Sequence, residues 1–150
     1  MAQSLARILV HIIFSTKERM PVLARGVRPQ LAAYLAGIGK RIACPCIEVG
    51  CQPDHVHVLA VLSKNIALAE MVEEIKKGSS KWVKTCAPAL RNFHWQNGYG
   101  AFSVSPSNAT RVQEYILAQD EHHRRVTFQD EFRAFLRRHG VPFDERYVWD

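Results

Sequence analysis

Alternating stretches of hydrophobic and polar residues along the chain predict strands and helices in turn. Short runs rich in Ile, Val and Leu predict strands, because β-branched residues favour extended backbone. Longer stretches with apolar residues every three or four positions predict amphipathic helices. The predicted strands are residues 7–15, 46–50, 55–62 and 102–105, and the predicted helices are residues 29–41, 67–84 and 108–125, followed by a last helix that starts at Thr127 and ends before Gly140.

The order of these elements is β-α-β-β-α-β followed by two helices. This order is typical of the α+β class, in which a ferredoxin-like antiparallel sheet carries helices on one face. We therefore expect one face of the sheet to stay open for a ligand or a partner.

The chain length fits a single domain. A chain of 150 residues with 47% hydrophobic and 23% charged residues can bury one core. We expect a core over about residues 7–125 and a helical tail over about residues 126–150 that braces the preceding helix or contacts a partner subunit. The apolar run at residues 8–14 is too short to span a bilayer, and the four cysteines predict reduced thiols in a cytoplasm.

The charge balance narrows the choice of partner. Lys and Arg number 20 and Asp and Glu number 14, so the formal net charge is +6. A basic excess in a small domain favours a polyanionic partner, with nucleic acid as the leading candidate. Charge alone is a weak argument, because many basic proteins bind no specific polyanion.

A pair of histidines is the sharpest local feature. His55 and His57 are two positions apart in a predicted strand, so their side chains point to the same face of the sheet. Two adjacent imidazoles form half of a metal site. The alternative is two ordinary histidines on a half-exposed strand, and the pair alone does not decide between these readings.

A tyrosine and a glutamine form the second feature. Tyr115 and Gln119 are four residues apart in the predicted helix over residues 108–125, so they share a helix face. Tyr is a possible nucleophile, and an amide oxygen suits Mg²⁺ or Mn²⁺. The alternative is a Tyr at the edge of the core of an amphipathic helix.

These residues stand in an order that resembles a known family. The sequence DHVHVL at residues 54–59, with YILAQ at residues 115–119, resembles the single-tyrosine HUH transposases of small insertion sequences. The stretches HIIFSTK (11–17), KKGSS (76–80), WQNGY (95–99) and AFSV (101–104) are also similar to motifs of that family. The ordered set of motifs covers about 115 residues and is much more specific than His-x-His alone.

The resemblance implies a role for each matching residue. His55 and His57 match the family's metal-binding histidines, Gln119 matches the third ligand, and Tyr115 matches the nucleophile. The implied activity is metal-dependent nicking and rejoining of single-stranded DNA through a 5′-phosphotyrosine, with Mg²⁺ or Mn²⁺ as cofactor and hairpins at element ends as targets. A related branch acts at palindromic repeats dispersed in bacterial genomes. The resemblance also implies a homodimer, often with Tyr115 facing the histidines of the other subunit.

Residues that could bind DNA lie in or next to the same motifs. Basic side chains contact phosphates and aromatic side chains stack on unpaired bases. A solvated helix face or ordinary core packing is the alternative for each of them. The candidates are His11, Lys17, Arg19, Lys76, Lys77, Ser79, Trp95 and Tyr99.

Several alternatives stay open on the sequence alone. His122 and His123 could extend the metal site, or they could lie with Arg124 and Arg125 at the basic end of a helix. A non-catalytic RNA- or DNA-binding module on the same fold is the main rival function. A replication or conjugation nickase is disfavoured by the short chain, and a bacterial cytoplasm is the expected location.

Overall fold

The computed structural model describes residues 2–150, which form one four-stranded antiparallel sheet and five α-helices. The order of elements confirms the predicted ferredoxin-like arrangement. The strands are β1 (Ile8–Ser15), β2 (Cys46–Cys51), β3 (His55–Leu62) and β4 (Gly100–Val104), and the helices are α1 (Arg28–Arg41), α2 (Leu68–Cys86), α3 (Ala109–Leu117), α4 (Gln119–His122) and α5 (Phe128–Arg138).

The sheet runs in the order β2-β3-β1-β4, with every neighbouring pair antiparallel. The two central strands, β1 and β3, pair along their whole length, so that Ile13 lies opposite His57 and Ser15 opposite His55. Alternate residues of a strand point to opposite faces. The register therefore places the histidine pair in the middle of the sheet, on the face that also carries His11.

The first core lies between one face of the sheet and helices α1 and α2. The strands contribute branched and aromatic side chains to this layer, and each helix contributes an apolar stripe at helical spacing. Removing such side chains from water is the main favourable term in folding. The fully buried members include Ile12, Phe14, Val56, Val58, Leu31, Leu35, Met71 and Ile75.

The prediction that the second sheet face stays open is wrong. Helix α5 crosses this face and buries Phe128, Phe132 and Phe135 against Ile13 and Phe102. Helix α3 adds a further cluster, in which Ile116 packs with Leu9, Leu59 and Val104. The face carries large apolar residues from three strands, and leaving them in water would cost much of the stability of a small domain.

The prediction of one continuous helix over residues 108–125 is also wrong. The backbone leaves helical geometry at Ala118, where φ is −91° and ψ is 11°, and a new helical turn begins at Gln119. Tyr115 and Gln119 therefore lie on two helices rather than on one face of one helix. Gln119 is buried, whereas Leu117 is exposed.

The last helix begins as predicted. The Thr127 side chain accepts a hydrogen bond from the backbone N–H of Asp130, which caps α5. Gly140 adopts a positive φ of 66° after the helix ends. The segment after Gly140 is held by an ion pair between its Glu145 and Arg133 of α5, and the backbone oxygen of Asp150 accepts a hydrogen bond from Gly98 N–H. Within residues 2–150, none of the helices is long and apolar enough to cross a bilayer.

Replacement of Gly50 by Ala tests how closely α3 approaches the sheet. A Cβ at Gly50 would lie 2.7 Å from Ile116 Cγ2 and 3.2 Å from the Ile116 carbonyl oxygen. We expect Gly50→Ala to lower the free energy of unfolding by about 1–3 kcal/mol, measured by urea denaturation, because the core has no room for the methyl group. Gly37→Ala, where nothing lies within 4 Å, is the control, and equal stability of the two variants would contradict this packing.

Candidate active site

His55 and His57 lie side by side on β3, fully buried beneath α5. Their ring centroids are 5.2 Å apart, and less than 2% of either residue is exposed. His55 Nδ1 lies 2.7 Å from Asp54 Oδ1. Because a carboxylate only accepts hydrogen bonds, His55 carries its hydrogen on Nδ1 and directs Nε2 into the site.

The carboxylate of Glu131, from α5, lies at the centre of the site. Its Oε1 is 3.0 Å from His57 Nε2 and 3.6 Å from His55 Nε2. Its Oε2 is 3.2 Å from His122 Nε2 and 3.3 Å from His123 Nε2. Only 2% of Glu131 is exposed, so four imidazoles surround a carboxylate that is hidden from water.

Four of these side chains could hold a metal ion. One donor atom each from His55, His57, His123 and Glu131 lies within 4.8 Å of all the others. His55 Nε2 is buried and has no hydrogen-bond partner among residues 2–150. An unpaired buried nitrogen is costly, and a bound cation would satisfy it. The donor set therefore fits a divalent metal.

Tyr115 reaches the same carboxylate from α3. Its hydroxyl donates a hydrogen bond to Glu131 Oε2 and lies 3.2 Å from His122 Nε2. Its ring centroid is 5.9 Å from that of His57. The fold thus brings the predicted nucleophile and the two predicted metal-binding histidines together within one chain.

Gln119 is buried beside the cluster and contacts it through His123. Its Oε1 accepts a hydrogen bond from His123 Nε2 at 2.7 Å, and its Nε2 donates to the Tyr115 carbonyl oxygen at 3.4 Å. Of the two alternatives for His123, the structure favours the first: this residue lies at the histidine cluster and not with the arginines at the basic end of the helix. Gln119 positions the His123 ring.

Burial and the Glu131 charge set the protonation of the site. Burial alone would raise the pKa of Glu131, but hydrogen bonds from His123, His57 and Tyr115 outweigh it and hold that pKa below its ordinary value. Burial also lowers the pKa of His57, more than the bond to Glu131 raises it. The site therefore combines an ionised carboxylate with a neutral His57 imidazole.

The same environment keeps Tyr115 protonated. Burial, the charge of Glu131 and the hydrogen bond to Glu131 raise the pKa of the Tyr115 hydroxyl above its ordinary value. A tyrosine in this state is a weak nucleophile. Its attack on a phosphate therefore requires that the proton leave or that the Glu131 charge be neutralised.

His11 supports the histidine pair from the neighbouring strand. Its Nε2 lies 2.8 Å from His57 Nδ1, and the two rings stack with centroids 5.1 Å apart. Burial, with the neighbouring His57, lowers the pKa of His11 to about 3. A hydrogen bond to the far nitrogen of a metal-binding histidine fixes the orientation of that ring, and His11 stands in this position beside His57, one of the two histidines predicted to bind a metal.

The candidate DNA-binding residues divide into exposed and internal side chains. Lys17, Lys77 and Tyr99 are exposed, and Arg19 is half-buried with its guanidinium over the Trp149 ring. Trp95 and Ser79 are buried in the first core, where the indole N–H donates to Ser79 Oγ at 3.0 Å.

Lys76 is half-buried and holds the loop that follows Trp95. Its Nζ donates to the carbonyl oxygens of Gln96, Asn97 and Gly98 at 2.8, 3.2 and 2.5 Å. Burial lowers the pKa of Lys76 to about 8. Tyr99 lies beside it, with Lys76 Nζ 5.6 Å from the centre of the Tyr99 ring. Lys76 therefore stabilises the loop that presents Tyr99.

Glu131 is not among the site residues predicted from the sequence, although its position on α5 indicates that it is buried. Glu131 stands three residues after Phe128 and four before Phe135, so it lies on the apolar face of α5. A charged residue on such a face is rarely buried unless it is paired. Two arginines were missed as well: Arg111 and Arg138 line a cavity of about 300 Å³ beside Tyr115 and His11.

Comparison with known proteins gives a family match over most of the chain. Residues 4–119 match the model of the protein family described as "Transposase IS200 like". The ISDra2 transposase TnpA of Deinococcus radiodurans is 27% identical over 116 residues, which cover 74% of this chain and 83% of that protein.

Two solved structures share the fold. A candidate transposase from Deinococcus radiodurans R1 has a TM-score of 0.62 and 23% identity, covering 79% of this chain and 98% of the other. A REP-associated tyrosine transposase bound to a REP hairpin has a TM-score of 0.58 and 15% identity, covering 82% of this chain and 74% of the other. At these identities the two structures support the fold alone.

Replacement of Ser79 by Ala separates internal support from direct DNA contact. The change leaves the buried Trp95 indole N–H without its acceptor, so we expect a loss of about 1–3 kcal/mol in the free energy of unfolding. We expect the affinity for DNA, measured below the unfolding transition, to remain that of the wild type. Ser80→Ala, one position along the same helix, is the matched control, and weaker DNA binding at unchanged stability would contradict the internal role.

Proposed function

The chain belongs to the IS200-like transposase family, and on that basis we propose that it cuts and rejoins single-stranded DNA through a covalent bond to Tyr115. The observation that carries the proposal is the shared carboxylate: Glu131 contacts both the Tyr115 hydroxyl and the buried His55/His57 pair. Tyr115 and the two histidines that would bind the metal lie around one carboxylate, an arrangement that suits metal-assisted phosphodiester cleavage.

We propose Mg²⁺ or Mn²⁺ as the cofactor. His55 and His57 would hold the cation. The resemblance implies Gln119 as the third ligand, and Gln119 is hydrogen-bonded to His123 at the edge of this cluster. The unpaired Nε2 of His55 supports this assignment. A divalent cation there would supply Lewis-acid stabilisation of the charge on the non-bridging phosphate oxygens and orient the phosphate.

The chain's own residues would provide the nucleophile and receive its proton. The hydroxyl proton of Tyr115 passes to Glu131, the acceptor that it already faces. The Tyr115 oxygen forms a bond to phosphorus while the bond to the 3′ oxygen breaks. The departing 3′ oxygen takes up the proton held on Glu131 and leaves as 3′-OH, which restores the Glu131 carboxylate. The 5′-phosphotyrosine conserves the bond energy, so a second 3′-OH can reverse the step and join strands.

The proposed reaction uses Tyr115 and the histidines of the same chain. The Tyr115 ring lies next to that of His57, and both α3 and α5 pack against β3. Exchange of Tyr115 between subunits, which the resemblance often implies, is not needed to complete this site. A homodimer stays part of the proposal on other grounds, because two element ends require two tyrosines.

The proposed DNA surface lies beside the loop over residues 95–99. Backbone hydrogen bonds from Lys17 N–H to His94 and from Gln96 N–H to Ser15 hold this loop next to the end of β1. Lys77 and Tyr99 line a common cavity of about 410 Å³ on the α2 side. The combination of exposed lysines with an exposed aromatic suits phosphates and unpaired bases.

A hairpin is the proposed form of the target. The REP-associated relative is bound to a REP hairpin, and its fold is the fold of this chain. The rival function, a non-catalytic RNA- or DNA-binding module, uses aromatics on an open sheet face. In this protein α3 and α5 cover that face, which disfavours the rival.

Covalent trapping tests the proposed reaction. Labelled single-stranded oligonucleotides from the regions flanking the gene are incubated with protein and Mg²⁺ or Mn²⁺, and denaturing gels reveal a protein–DNA adduct. We expect an adduct with the wild type and none with Tyr115→Phe, because the attacking oxygen is removed. Tyr147→Phe, at a tyrosine that is 63% exposed, is the matched control, and EDTA should abolish the adduct.

An adduct that persists in Tyr115→Phe would contradict the assignment of Tyr115 as the nucleophile. An adduct of unchanged yield in EDTA would remove the metal from the mechanism. Tight binding of every oligonucleotide without any adduct, with both metals, would favour the binding-module function instead.

Salt dependence tests the DNA surface. We expect Lys77→Ala to weaken hairpin binding and to reduce the slope of log affinity against log salt by about 1, because one phosphate contact is lost. Lys40→Ala, at an exposed lysine near the end of α1, should leave both quantities unchanged. Equal slopes for the wild type and Lys77→Ala would place the DNA elsewhere.

A further inference from the structure

The buried carboxylate of Glu131 lies outside the part of the chain that matches the family. That match ends at residue 119, whereas Glu131 is on α5, twelve positions later. The matching region supplies the two histidines, Tyr115 and Gln119. The charge at the centre of the site therefore comes from a helix that the family match does not cover.

The hydrogen-bond pattern around His55 leaves a lone pair that faces a negative charge. His55 Nδ1 carries its hydrogen toward Asp54, so in the neutral ring Nε2 has no hydrogen to donate. This nitrogen lies 3.6 Å from Glu131 Oε1 and has no hydrogen-bond partner in residues 2–150. A lone pair and a carboxylate repel each other unless a cation stands between them.

The Asp54–His55 contact has the arrangement of a metal-binding histidine. Such histidines commonly donate their other ring hydrogen to a carboxylate, which fixes the tautomer and makes the ligating nitrogen more basic. His57 has a comparable support, because its Nδ1 lies 2.8 Å from His11 Nε2. Both ring systems thus direct Nε2 toward Glu131 Oε1.

The amide of Gln119 is engaged elsewhere in this arrangement. Its oxygen accepts the hydrogen bond from His123 at 2.7 Å. A hard divalent cation prefers an anionic oxygen to imidazole nitrogens alone. Among the donors within 4.8 Å of one another, Glu131 is the residue that offers such an oxygen.

We propose that Glu131 is a ligand of the divalent cation, together with His55 and His57, and that Gln119 acts as a positioning residue through His123. The assignment rests on the proposed metal-dependent function and goes beyond it by naming a ligand that α5 supplies. It also links two groups at one side chain, because Glu131 Oε1 faces the two histidines while Oε2 accepts the hydrogen bond from the Tyr115 hydroxyl.

Metal affinity without DNA tests this assignment directly. Free Mn²⁺ is measured by electron paramagnetic resonance during titration of the full-length protein. We expect Glu131→Gln, which keeps the shape but removes the charge, to weaken Mn²⁺ binding by at least about 10–100-fold, because losing a residue that only orients a metal ligand already costs that much. Glu121→Gln, at an exposed glutamate on α4, is the matched control and should bind as the wild type does.

The opposite outcome has a clear physical meaning. If Glu131 only fills the space that a cation would take, its neutralisation should leave Mn²⁺ affinity unchanged or raise it, and that result would overturn the proposal. A loss in Gln119→Ala that exceeds the loss in Glu131→Gln would overturn it as well, because Gln119 would then be the stronger ligand.

A crystal of the wild-type protein soaked in Mn²⁺ keeps the test independent of how the variants fold. Anomalous density is expected within about 2.0–2.4 Å of a Glu131 carboxylate oxygen and of the two histidine nitrogens. Density beside the histidines with Glu131 turned away would contradict the assignment. If the wild-type protein binds no Mn²⁺, the metal-dependent function is overturned as well. If Glu131→Gln forms metal-dependent adducts and binds Mn²⁺ with the affinity of the wild type, the ligand assignment alone is overturned.

Discussion

The rest of this site depends on the contacts between the buried carboxylate of Glu131 and the imidazoles around it. An unpaired buried charge would destabilise the fold by several kcal/mol, so Glu131 must be surrounded by donors. The fold provides them from three elements: His57 on β3, Tyr115 on α3, and the pair His122 and His123 after the break at Ala118. The electrostatics of one residue therefore fix the mutual positions of Tyr115 and the histidine pair.

The sheet makes this arrangement possible because its two faces differ in chemistry. Along β3, Val56 and Val58 face the layer of α1 and α2, while His55 and His57 face α3 and α5. A strand that alternates in this way can hold a dry core on one side and a polar site on the other. Helix α5 then closes the polar side with three phenylalanines, so the polar site is enclosed.

The sequence predicts most elements and the chemical groups, but not how the C-terminal region covers them. Runs of β-branched residues predict the strands, and His55, His57 and Tyr115 stand out by spacing. The break at Ala118 was not predictable, because the residues around it have ordinary helical propensity. The apolar pattern of α5 shows that it has a buried face without showing what that face covers, and so Glu131 emerged only from the tertiary structure.

The central claim is that one chain assembles a complete site, and complementation between inactive subunits tests it most directly. Tyr115→Phe and His57→Ala are co-expressed with different tags, purified together, and assayed for the covalent adduct with single-stranded DNA. A site built within one chain predicts no adduct, because neither subunit then holds both groups. Recovery of the adduct in the mixed protein would show that Tyr115 of one subunit works with the histidines of the other, and would contradict this account.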